Sequence, residues 1–115
     1  MSTTTTAIID MEVIREVARL IVARFHPERV VLFGSYARGE ANPNSDVDLL
    51  VEMRSPIEGN VRGNPVRRAI AERFVLPVDI VVKSPETVEK YRNDPYSLVH
   101  QALEEGIILY DRNGA

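Results

Sequence analysis

The chain has 115 residues, enough for one domain around one core. Hydrophobic residues make up 44%, charged residues 27%, and the formal net charge is -3; this balance argues against a surface that grips a nucleic-acid backbone, though not against binding one nucleotide. Cysteine is absent, which excludes a disulfide framework, thiolate chemistry and cysteine-ligated zinc.

The opening "MSTTTTAIID" lacks a basic segment followed by a long apolar stretch, so it does not read as a secretory signal. No apolar run reaches membrane-spanning length, and a cytoplasmic protein with no membrane contact is expected. Residues 1–7 read as a frayed tail of a single domain spanning 1–115. Ile9, Val13, Ile14, Val17, Leu20, Ile21 and Phe25 then recur at helical spacing, and Pro27 ends that amphipathic helix. "RVVLF" (29–33) reads as a buried strand and "DVDLLVEM" (46–53) as a second. A short helical turn from Ser35 and the turn-forming "ANPNS" lie between them.

"RSPIEGNVRGN" (54–64) has loop composition. Asn64-Pro65, Ser84-Pro85 and Asp94-Pro95 each set a capping side chain before a proline, predicting helices over about 65–74, 85–91 and 95–105. Gly106 is a helix stop, and "VDIVV" (78–82) and "IILY" (107–110) are strands. The order α-β-α-β-α-β-α-α-β predicts an α/β or α+β domain, a small mixed sheet flanked by helices.

Three acids interrupt apolar strands. Side chains alternate along a strand, so Asp46 and Asp48 share one face, while Val47 and Leu49 point to the core. Carboxylates held this way repel each other unless a cation joins them, and hard oxygen donors suit Mg²⁺ or Mn²⁺. Asp79 interrupts "PVDIVV" in the same manner. One helix connects its strand to the preceding one, the pattern of a parallel crossover, which would bring all three acids to one end of the sheet. Gly34 and Ser35 end the strand before the acids. Glycine lets a ligand approach the backbone, and Ser35 as a cap would expose N–H groups that suit phosphate. An anion cradle beside a metal site fits a nucleoside triphosphate with Mg²⁺.

Each feature alone has a plainer reading. A lone Asp-x-Asp or Gly-Ser is usually a surface turn, Asp79 could pair with an arginine, and Arg38 reads equally as a solvated cation or a phosphate contact. His26 and His100 lack metal-ligand spacing, and the four tyrosines read as mainly structural. Arg62, Arg67, Arg68 and Arg73 read as a solvated face, with a partner surface as the alternative. The conjunction at this spacing carries the argument.

"GSYARGEANPNSDVDLLVE" resembles the signature of the DNA polymerase β-like nucleotidyltransferase superfamily, with Gly34-Ser35, ten intervening residues and Asp46-Val47-Asp48. On so short a chain it most resembles the minimal nucleotidyltransferases. The resemblance implies Asp46, Asp48 and Asp79 as catalytic residues and ligands of two Mg²⁺ ions. It implies Gly34 and Ser35 as contacts to the nucleotide phosphates, with Arg38 a candidate third. It implies transfer of a nucleoside monophosphate, AMP from ATP, to a hydroxyl. Family members are commonly paired with HEPN-domain ribonuclease toxins, whose tyrosine they modify, so an antitoxin role and a homo- or hetero-oligomer are expected. A toxin-binding module without catalysis stands as an alternative. So does a catalytic subunit acting on small molecules with a helical partner.

Overall fold

The computed structural model describes residues 8–54 and 65–114. Nine elements follow in chain order: α1 (Met11–Phe25), β1 (Arg29–Phe33), α2 (Ser35–Arg38), β2 (Val47–Glu52), α3 (Pro65–Ala71), β3 (Val78–Lys83), α4 (Pro85–Tyr91), α5 (Leu98–Glu105) and β4 (Ile107–Asp111). The strands form one mixed sheet in the order β3-β2-β1-β4. β1 is antiparallel to both β2 and β4, and β2 is parallel to β3 through the crossover that carries α3.

Strand alternation sorts the side chains onto two covered faces. Val30 and Leu32, Val47, Leu49 and Val51, and Val78, Ile80 and Val82 pack against Ile14, Val17 and Ile21 of α1 and Val66 and Ile70 of α3. On the opposite face, Val31, Phe33, Leu50 and Val81 pack against Ala102 of α5. These central strands read as near-continuous apolar runs because both faces are buried. α1 starts at Asp10, whose side chain accepts from the Glu12 N–H, and ends at His26 in the left-handed conformation.

The expected fold class and strand pairings are met, with local corrections. β2 begins at Val47, so Asp46 stands just ahead of the strand. Asp94-Pro95 does not start a helix. The Asp94 side chain accepts from the Tyr96 N–H and its carbonyl from the Ser97 N–H, so the acid closes a turn instead. Ser97 then caps α5 by accepting from the His100 N–H. Ser84 caps α4 as expected, whereas Asn64 lies outside the described residues. Tyr36 is structural, its hydroxyl accepting from the Ile9 N–H at 3.0 Å, but Tyr96 is almost wholly exposed. Among the described residues no helix is long and apolar enough to cross a membrane.

Candidate active site

The strand register decides which groups meet. In the β2–β3 pair Asp48 stands directly beside Asp79, and in the β1–β2 pair it stands across from Phe33, the last residue of β1. Gly34 follows Phe33, so the turn after β1 closes over the same carboxylate. Asp48 and Asp79 share the α5 face with Leu50 and Val81 but lie at its open end, where both are half-buried. Asp46 is exposed, two residues before Asp48.

The electrostatics follow from that placement. Burial pushes the Asp48 carboxyl up from the ordinary 3.8 to about 6, and the negative charges of Asp79 and Asp46 push in the same direction. Arg38 is the opposing influence. Among the described residues no three His, Asp or Glu groups already form an ion-holding cluster. Asp48 and Asp79 are register partners, and Asp46 approaches them from outside the strand.

Gly34 has φ 76° and ψ -157°, a conformation open essentially to glycine alone. A Cβ built there would overlap the Asp48 carboxylate. Glycine is therefore required twice, once by its dihedrals and once by the acid beneath it. The cap of α2 is this residue and not Ser35, which is the first residue of the helix. The Gly34 carbonyl accepts from the Ala37 and Arg38 N–H groups, at 3.0 and 3.1 Å. Ser35 thus sits in the first turn, where N–H groups have no helical carbonyl ahead of them. Gly39, at φ 74°, ends this single turn.

Arg38 is held by two carboxylates. Its Nε donates to Glu40 and its Nη1 to Glu105, each at 2.9 Å. Neither acid stood out in the sequence: Glu105 is 67 residues away, and no spacing rule links it to the turn after β1. His26 and His100 take structural positions, the first as the left-handed end of α1 and the second with Nδ1 2.7 Å from the Arg92 carbonyl oxygen. Of the arginines expected around the third helix, Arg67 on α3 donates to the Val78 carbonyl, whereas Arg62 lies outside the described residues.

A nucleotidyltransferase domain model matches residues 12–109, from the first turn of α1 to β4. The chain belongs to this family. It is a nucleotidyltransferase, and the matched span contains Gly34, Ser35, Arg38, Asp46, Asp48 and Asp79. A Methanocaldococcus jannaschii relative, provisionally named protein adenylyltransferase MJ1379, is 39% identical over 101 residues, covering 84% of this chain and 90% of its own. The protein adenylyltransferase MntA of Thermococcus cleftensis is 38% identical over 61 residues, covering 53% and 61%. Two solved structures share the fold. One, provisionally named a nucleotidyltransferase, comes from Sulfolobus solfataricus, with a TM-score of 0.58 at 23% identity over 91% of this chain and 83% of that one. The other is a toxin–antitoxin structure with AMP-PNP, with a TM-score of 0.59 at 22% identity over 84% and 71%.

Proposed function

We propose that this nucleotidyltransferase transfers AMP from ATP to a hydroxyl of a partner protein, a tyrosine of a HEPN-type ribonuclease toxin, and so acts as its antitoxin. The observation that carries the chemistry is the register pairing of Asp48 with Asp79 beside Gly34. The relatives named protein adenylyltransferases support a protein acceptor, and the toxin–antitoxin structure of similar fold supports a toxin partner.

The donor set fits a hard divalent cation. Asp46, Asp48 and Asp79 offer carboxylate oxygens only, and burial, with repulsion from the other two acids added to it, raises Asp48. These three residues would hold Mg²⁺, or Mn²⁺ in its place. The bound ions supply charge neutralisation for the triphosphate and for the oxygens that attack and leave. The chain's own groups do the rest. Gly34, lacking a Cβ, lets the backbone turn pass directly over the Asp48 carboxylate, and the N–H groups beginning at Ser35 orient the phosphates beside it. Asp79, on the neighbouring strand, takes up the proton of the acceptor hydroxyl as its oxygen attacks the α-phosphorus in line. The bond to the β-phosphate breaks and pyrophosphate leaves.

The test is mass spectrometry of a candidate HEPN partner after incubation with each nucleoside triphosphate and Mg²⁺. The expected result is a tyrosine heavier by one or more AMP groups, formed by the parent protein and not by Asp79→Asn. Full protection by Asp79→Asn in a toxin-rescue assay, with no modified tyrosine, would make the protein an occluding module instead.

A further inference from the structure

The last turn of α5 lies on the covered face of the sheet, yet its final residue reaches the active-site turn. Gly106, immediately after α5, is why. A Cβ at that position would overlap the Ala102 carbonyl, the Val31 side chain and the Leu32 carbonyl, so α5 ends pressed against the end of β1. β1 runs from there into Gly34 and α2. Glu105 is thereby fixed beside Arg38, and its Oε1 accepts from Nη1 at 2.9 Å. Glu40 accepts from Nε at the same distance. A guanidinium has five N–H donors in a planar fork, and two carboxylates bound on different nitrogens define the plane in which it lies. Among the described residues, no hydrogen bond donated by Nη2 accompanies these two. Arg38 is also the cation that acts on Asp48.

We propose that Glu105 is a positioning residue for nucleotide binding: with Glu40 it orients Arg38 so that the free end of the guanidinium faces the nucleotide phosphates beside Asp48. This rests on the nucleotidyl-transfer reading and adds to it a residue from the far end of the chain. It also makes the grip on the triphosphate depend on the docking of α5. Glu105 touches no substrate. It removes the rotational freedom of a long side chain that would otherwise have to be ordered when the nucleotide arrives.

The experiment is a double-mutant cycle read by calorimetric titration with ATP and Mg²⁺, with KM and kcat measured in parallel on the modified partner. The variants are Glu105→Ala, Glu105→Gln, Arg38→Ala and the double Arg38→Ala/Glu105→Ala, with Glu104→Ala as the neighbouring control. Glu105→Ala is expected to weaken nucleotide binding and raise KM about five- to tenfold, with kcat changed less than about twofold. Glu105→Gln, which keeps the shape and one acceptor oxygen, should fall between it and the parent. In the Arg38→Ala background the Glu105 substitution should have no further effect, an outcome that a merely structural role would not give. An unchanged or tighter affinity in Glu105→Ala, or an equal loss in the presence and absence of Arg38, would overturn the inference. The nucleotidyl-transfer reading fails separately, if Asp48→Asn binds the nucleotide as the parent does.

Discussion

The two ends of the sheet's α5 face carry the same kind of residue and treat it in opposite ways. At one end, Glu52 of β2 stands between two basic register partners, Arg29 of β1 and Lys83 of β3. The Arg29 Nε lies 3.7 Å from a Glu52 oxygen and 3.6 Å from an Asp111 oxygen. Four residues back along the same strand, Asp48 stands between Phe33 and another acid, Asp79. Burial raises both carboxyls above their ordinary values. For Glu52 the leading opposing influence is Arg29, in direct register, whereas for Asp48 the next influences are the acids Asp79 and Asp46. One end sets a half-buried arginine between two acids at ion-pair distance, although Arg29 Nε and the facing Glu52 oxygen make no hydrogen bond. The other is an arrangement of like charges that costs stability as long as no cation joins them.

The largest effect that would break this comparison lies at the open end. Asp79→Asn should lower the rate of transfer by about a thousandfold or more while leaving much of the nucleotide affinity, since it acts on the transition state. Single-turnover kinetics against equilibrium binding separate the two. At the other end, Arg29→Ala should leave a buried Glu52 without its arginine and lower stability by about 3 kcal/mol in denaturant titration, with kcat/KM of the folded fraction unchanged. An activity loss matching that of Asp79→Asn would erase the distinction between the ends.

Gly34→Ala tests the join between β1 and the acids. The dihedrals and the overlap with Asp48 together predict a loss of about 1–3 kcal/mol in stability, accompanied by loss of nucleotide binding. The smallest effect is a gain. With its folded carboxyl at about 6 and an ordinary value of 3.8, Asp48 costs the metal-free protein nothing below about pH 4. The cost grows as pH rises between those values and is complete above about pH 6. Asp48→Asn should therefore stabilise the metal-free protein at pH 7 by about 1–2 kcal/mol, allowing for partial solvent screening, and leave it unchanged at pH 4. Paired thermal melts at the two values check the sign.

Much of this was legible in the residues. Alternation and apolar runs located the strands, and the acids inside "DVDLLVE" and "PVDIVV" pointed to one another before any register was known. The parallel crossover did the rest, because it pairs Asp48 with Asp79 side by side. Capping chemistry was read well at Ser84 and badly at Asp94, where the same Asp-Pro pattern serves a turn and the cap falls to Ser97. Ser35 was read as a cap because serine favours that place, yet only glycine can adopt the dihedrals found there. Glu105 was invisible. Its role depends on how tightly α5 packs against β1, which is a property of the folded chain and not of any local pattern.

The central claim is that the Asp48–Asp79 end of the sheet is completed by a nucleotide with its divalent cation. Calorimetric titration of the protein with ATP, with and without Mg²⁺, tests it most directly. The account predicts binding that requires the cation and is weakened in Asp48→Asn, because clustered carboxylates and a triphosphate repel each other without it. Equal affinity with and without Mg²⁺, unaffected by Asp48→Asn, would contradict it.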